Sequence, residues 1–149
     1  MTNVQITEQN LVEELRSTFP EIEALYQEET NSWGNKNPGK YNIFAFVFKP
    51  ILKQELSKTG NEDFLRRFCL FIERVCISGD KEAINIIWLK IFKLLLADSE
   101  TVKRIWPLLG TATKSNIKDA ASRWHLIGNL PILARPHAAL FLFTPHRPA

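Results

Sequence analysis

Residues 64–76 read FLRRFCLFIERVC, and the spacing of their apolar side chains decides the fold. At about 100° per residue, these side chains fall on one continuous arc of a helix, and the charged ones lie opposite. The arc consists of Phe64, Leu65, Phe68, Cys69, Phe71, Ile72, Val75 and Cys76, and the opposite side of Arg66, Arg67, Glu73 and Arg74. This pattern predicts an α-helix that buries the arc and turns its charged side to solvent.

The two cysteines of this stretch lie on one edge of the arc, about two helical turns or 10 Å apart. An intrahelical disulfide requires Cα atoms within about 7 Å of each other. A metal site requires further ligands, and the histidines of the chain are distant in sequence, at His125, His137 and His146. We therefore interpret Cys69 and Cys76 as packing residues and predict neither a metal site nor a cofactor.

A second helix follows the turn Ser78-Gly79-Asp80. Its sequence, KEAINIIWLKIFKLLLA, is apolar over more than half of the circumference, which is typical of a helix with neighbours on several sides. Two helices joined by so few residues form an antiparallel hairpin. The sequence therefore predicts a central hairpin from Glu62, which follows the capping residue Asn61, to about residue 97.

Capping and breaker residues divide the rest of the chain into further helices. The expected helices run from Thr7 or Asn10 to about Ser17, over PEIEALYQEE at 20–29, over 40–58 with a kink or first turn at Pro50, from Asp98 or Ser99 to Leu109, and from about Lys114 to Ile127. Gly110 is expected as the left-handed residue that ends the fourth of these. We predict a single all-α domain of about six or seven helices, either a bundle or a short stack of helical hairpins.

The net charge of +3 is unevenly distributed along the 149 residues. Residues 1–30 hold seven acidic side chains and one basic one, whereas residues 31–124 hold 16 basic and nine acidic ones. This asymmetry indicates either charged partners or internal pairing of the two regions. The N-terminus lacks the features of a secretory signal, and no uncharged run approaches the roughly 18 residues that span a bilayer. We therefore expect a cytoplasmic protein with no membrane partner.

No pattern of nucleophile and base points to catalysis. The serines mostly stand at expected helix ends, where capping explains them, and neither a G-x-S-x-G elbow nor a glycine-rich phosphate loop is present. The carboxylates Glu13, Glu14, Glu21 and Glu23 have the spacing of a solvated helix face rather than of an acid–base pair. We predict a protein that is not an enzyme.

Nucleic-acid binding is the alternative function that we consider. A basic strip could run from the hairpin to the last helices through Arg66, Arg67, Arg74, Lys90, Lys93, Lys103, Arg104, Lys114 and Lys118. Glu62, Asp63 and Glu73 interrupt it, and no known DNA-binding motif is present. A mixed, solvated face is the better interpretation.

Protein binding is the function that we favour. The acidic N-terminal helices and the adjoining loop combine carboxylates with aromatic side chains, the composition of an electrostatic docking surface. The predicted partner-binding residues are Glu13, Glu14, Glu21, Glu23, Tyr26, Glu28, Glu29 and Trp33. In the alternative interpretation, Tyr26 and Trp33 pack on the core and the glutamates only solubilise the protein.

The order of these parts resembles a type of small all-helical bacterial protein. The resemblance covers roughly residues 10–125, through LRSTFPEIEALYQEE, FAFVFKPIL, the central hairpin and IWPLLG. Proteins of this type occur beside polymorphic and contact-dependent toxins and are suspected immunity proteins. The resemblance implies a protein that binds a cognate toxin domain, for which a basic nuclease would suit the N-terminal glutamates.

The last 25 residues differ in composition from the rest of the chain. Residues 125–149 contain four prolines, no acidic residue and the apolar run AALFLF. We therefore divide the chain into a helical domain at 1–124 and a tail at 125–149, which is either a docked extension or non-native sequence.

Overall fold

The structure is a computed structural model that describes residues 5–34 and 36–135. Seven helices account for most of these residues. They are α1 (Leu11–Thr18), α2 (Glu23–Ser32), α3 (40–56), α4 (Glu62–Ser78), α5 (81–96), α6 (Ser99–Ile105) and α7 (Thr111–Arg123). Short 3-10 turns occur at Pro20–Ile22, Trp106–Leu108, Ile127–Asn129 and Ile132–Ala134. These described residues form no strand, and the predicted all-α, single-domain fold is confirmed.

Helix α4 is the centre of the core. All eight residues of its predicted arc are buried, as the helical period requires. The ring of Phe19, at the corner between α1 and α2, packs against three aromatic side chains from α3 and α4. Its centroid lies 4.9 Å from that of Phe48, 5.2 Å from Phe64 and 5.6 Å from Phe71. This aromatic cluster joins the N-terminal helices to the hairpin.

The hairpin turn forms as its residue types predict. Gly79 adopts a left-handed conformation with φ of +73°, which ends α4. The carboxylate of Asp80 then accepts a hydrogen bond of 3.0 Å from the backbone N–H of Ala83 and caps α5. The short turn places the start of α5 beside α4, and the antiparallel packing of the two helices along their length stays a prediction.

Helices α3 and α5 each contain one π-helical turn, at Phe44–Phe48 and Trp88–Phe92. The N–H of Lys49 donates to the carbonyl of Phe44, five residues earlier instead of four. Pro50, which cannot donate a backbone hydrogen bond, follows at once in the segment Lys49–Leu56. The helix therefore continues through Pro50, with the irregularity located in the preceding turn.

Two expected boundaries near the end of the domain are wrong. The last helix is Thr111–Arg123, so it begins three residues before Lys114 and ends before Ile127. Gly110 does not end the preceding helix in a left-handed conformation, since its φ is −79° and it stands immediately before α7. Gly110 instead lies close to the side chain of Glu73.

The chain continues after α7 through two 3-10 turns, with Leu130 and Ala134 buried. Arg135 holds this segment in place by donating to the carbonyls of Gly128 and Leu130. The remainder of the predicted tail, residues 136–149 with the AALFLF run, lies outside the described residues. Within the described part of the chain, no helix combines the length and the hydropathy needed to cross a membrane.

Candidate functional site

Arg67 on the polar side of α4 binds the corner between α1 and α2. Its Nη2 lies 2.6 Å from Oε2 of Glu21, and its Nη1 donates to the second carboxylate oxygen at 3.0 Å and to the carbonyl of Thr18 at 2.9 Å. Its Nε donates to Asp63 at 2.9 Å. The hydrogen bonds from Arg67 lower the pKa of Glu21, and those bonds in turn raise the pKa of Arg67. This guanidinium therefore connects α4 to the N-terminal helices.

Two further predicted glutamates also form intramolecular ion pairs. Arg74 lies 3.1 Å from Oε1 of Glu14, and Arg16 lies 2.7 Å from Oε2 of Glu23. The Arg16 guanidinium also stacks over the Tyr26 ring, 4.0 Å from its centroid. Part of the acidic N-terminal region is thus paired internally, which was one of the two interpretations of the charge asymmetry.

The other predicted residues lie on the outer side of α1 and α2. No residue of α2 is fully buried. Glu13 and Glu28 are exposed, and in the described part of the chain they form no ion pair. Trp33 is 37% exposed, and its indole N–H donates to Oε2 of Glu29 at 2.8 Å. The structure therefore separates the eight predicted residues into an internally paired group and an exposed group.

Glu73 has a role that the sequence did not reveal. We predicted it on the solvent side of α4, but its carboxylate is half-buried at the start of α7. It accepts hydrogen bonds from the backbone N–H groups of Ala112 (3.1 Å) and Thr113 (2.8 Å) and from the Thr113 hydroxyl (2.7 Å). Burial alone would raise the pKa of Glu73, but these hydrogen bonds together lower it. Glu73 caps α7 from another helix.

Gly110 makes this cap possible. A Cβ atom at residue 110 would lie 2.3 Å from Cδ of Glu73, far inside van der Waals contact. The glycine is therefore required for the close approach of a side chain, and not for a left-handed backbone.

The two cysteines are free, buried and without a metal-binding environment. Burial raises the pKa of both thiols to about 11, which keeps them protonated. In the part of the chain that the structure describes, no group of His, Cys, Asp and Glu side chains could hold a metal ion. Cys69 and Cys76 are packing residues, as predicted.

The predicted basic strip is divided by these contacts. Arg67 and Arg74 bind glutamates, whereas Arg66 is exposed. Lys90 and Lys93 lie over aromatic rings of Tyr41 and Trp124, at 6.0 and 5.5 Å from the centroids. Lys103, Lys114 and Lys118, which belong to the far part of the predicted strip, line one groove together with Trp106. The groove joins α6 to α7.

Comparison with known proteins identifies the domain. Residues 12–125 match a family described as a domain of unknown function, DUF7674. The chain belongs to this family. The matched range takes in most of α1 and all of α2 to α7, so the family corresponds to the helical domain. No curated protein and no solved structure matches the chain.

Proposed function

We propose that this DUF7674 protein is a non-enzymatic protein-binding module of the immunity type, which neutralises a cognate toxin domain by docking through α2. The observation that carries the proposal is the exposed, acidic character of this helix. It buries no residue completely and contains three glutamates and no basic residue. Leu25 and Tyr26 pack, partly buried, against the core, while Glu28 on the same helix is exposed to solvent.

Trp33 supplies an aromatic anchor at the end of α2. Its indole N–H is held by Glu29, one turn earlier, while more than a third of the side chain faces solvent. A tryptophan already fixed in one orientation loses little conformational entropy on binding. Partly exposed tryptophans of this kind are enriched among the side chains that dominate interface energies.

The exposed carboxylates indicate a basic partner surface. Glu28 on α2 and Glu13 on α1 are not neutralised by the arginines that bind Glu14, Glu21 and Glu23. Complementary charge on a partner would increase the association rate and favour one partner over others. The resemblance to toxin-associated bacterial proteins supports the choice of a toxin domain as that partner.

The test requires variants that keep the internal ion pairs. Reversing Glu14, Glu21 or Glu23 would break contacts with Arg74, Arg67 or Arg16 and so confuse folding with binding. Glu13→Lys combined with Glu28→Lys changes only exposed side chains. The matched control is Glu62→Lys with Asp119→Lys, which makes the same charge change at exposed positions on α4 and α7.

The experiment is a calorimetric titration of the protein with the product of the gene adjacent to its own, together with a growth assay in which that product is expressed. We expect the wild-type protein to bind this product and to rescue growth. The Glu13→Lys, Glu28→Lys variant should bind it with about 100-fold lower affinity, and the control variant with unchanged affinity. Absence of binding would overturn the proposal. Equal binding by both variants would show that α2 is not the docking surface.

A further inference from the structure

A groove lies between α6, α7 and the 3-10 turn Ile132–Ala134, on elements that the proposed function does not use. Its volume is about 600 Å³, within the range of about 300–1,000 Å³ of small-molecule sites. Three cationic and three large apolar side chains define it: Lys103, Lys114, Lys118, Trp106, Ile132 and Leu133. We call it the lysine–tryptophan groove.

One wall of the groove is positively charged. Lys114 and Lys118 are four residues apart and therefore project from the same side of α7. Lys103 enters from α6, and within the described part of the chain its one ion pair is an exposed contact of 3.6 Å with Glu100, which solvent screens. No acidic side chain of the described chain lines the groove. An anion bound there would meet three cations without a competing carboxylate in the wall.

The opposite wall is apolar and exposed. Leu133 is 95% and Ile132 64% exposed, although side chains of this size normally gain free energy by burial. Trp106, which is half-buried, extends this surface toward the lysines, with Nζ of Lys114 5.6 Å from its ring centroid. The groove thus places exposed apolar surface directly beside concentrated positive charge.

We propose that the lysine–tryptophan groove binds an amphiphilic anion, an alkyl chain that ends in a phosphate or a carboxylate. The headgroup lies among the three lysines, and the chain covers Trp106, Ile132 and Leu133. A nucleic acid fits less well, because the groove offers a single aromatic ring on which a base could stack, and its remaining wall is aliphatic.

The probe is decyl phosphate below its critical micelle concentration, titrated into the full-length protein and followed by the indole N–H resonances in ¹H–¹⁵N NMR. We expect the Trp106 resonance, assigned with Trp106→Phe, to shift while that of Trp33 does not. Decyltrimethylammonium has the same chain with a cationic head and is expected not to bind. Equal shifts with both amphiphiles would overturn the proposal, since the lysines would then have no role.

Paired variants test each wall. Lys114→Gln with Lys118→Gln should lower the affinity for decyl phosphate about tenfold or more. Lys36→Gln with Lys81→Gln removes the same charge elsewhere and should leave this affinity unchanged. Leu133→Ser should weaken it several-fold, and Leu70→Ser, at an exposed position on α4, should leave it unchanged. Unchanged affinity in the first variant would overturn the proposal.

Two further arms identify the source of the anion. Binding to phosphatidic acid vesicles, lost in the Lys114, Lys118 variant, would assign the groove to a lipid headgroup; binding of monomers alone would assign it to a free amphiphile. The Trp106 resonance also reports the affinity for a single-stranded oligonucleotide. A higher affinity for the oligonucleotide than for decyl phosphate would overturn the proposal in favour of nucleic acid. Because Glu13 and Glu28 are remote from these elements in the chain, their variant should retain decyl phosphate binding even if the proposed function fails.

Discussion

The two sides of α4 are joined to their neighbours by different interactions. On the buried side, three aromatic rings from α3 and α4 pack around Phe19, and contact depends on shape and apolar area. On the polar side, Arg74 binds α1, Arg67 binds the end of α1 and the turn that follows it, and Glu73 binds the start of α7, all by directed hydrogen bonds. The buried side joins the helices through packing, and the polar side fastens α1, the turn after it and the start of α7 to α4.

The largest effect is expected on the buried side. Phe19→Ala removes a fully buried ring that contacts three other aromatic rings and leaves a cavity, so it should lower the free energy of unfolding by about 3–5 kcal/mol. Urea unfolding followed by circular dichroism measures this change. The matched control is Phe46→Ala, since Phe46 is 57% exposed and its loss should cost less than about 1 kcal/mol. Similar losses in both variants would show that the cluster is not central to stability.

A smaller effect is expected at the cap of α7. Glu73→Ala leaves two helix N–H groups and the Thr113 hydroxyl without their acceptor, and should cost about 1–3 kcal/mol. Gly110→Ala should act through the same contact, because its methyl group would displace the carboxylate. The two substitutions should therefore be non-additive in urea unfolding, with Gly110→Ala nearly neutral once Glu73 is alanine. Additive losses in the free energy of unfolding would show that Gly110→Ala does not act through the Glu73 cap.

The buried side of α4 could be predicted residue by residue, and its polar side could not. Burial follows the helical period, so eight apolar positions within 13 residues were sufficient to define the arc. The partner of Glu73 lies about 40 residues away, at Ala112 and Thr113, and no local pattern encodes such a distance. The hydrophobic pattern of α4, taken without its neighbours, places every charged residue of the helix in solvent.

The two π turns could not be predicted from the sequence either. The stretches around Phe44–Phe48 and Trp88–Phe92 are apolar on most sides, so a change of one residue in helical register leaves no trace in the hydrophobic pattern.

In the candidate docking site, the composition of α2 could be predicted, but the ion pairs could not. Which glutamates remain exposed depends on where α4 places its arginines.

The smallest effect is expected at Arg67, because its side chain and that of Glu21 are each about one-third exposed and the ion pair is screened. Arg67→Gln should lower the free energy of unfolding at pH 7 by about 0.5–1.5 kcal/mol. Arg66→Gln, the exposed neighbour, is the matched control and should have almost no effect. A loss equal to that of Phe19→Ala would contradict the division between the two sides of α4.

The pH dependence of this loss distinguishes the ion pair from packing. Arg67 lowers the pKa of Glu21 in the folded protein, so the pair stabilises above the unfolded value of about 4.3. That contribution disappears as the pH falls through the folded pKa, where the carboxylate takes up a proton. The wild-type protein should therefore lose more stability than Arg67→Gln between pH 6 and pH 3, and the two unfolding curves should converge at low pH. A constant difference across this range would mean that Arg67 acts through contacts that do not titrate, the Thr18 carbonyl and the Phe19 and Phe64 rings, and not through Glu21.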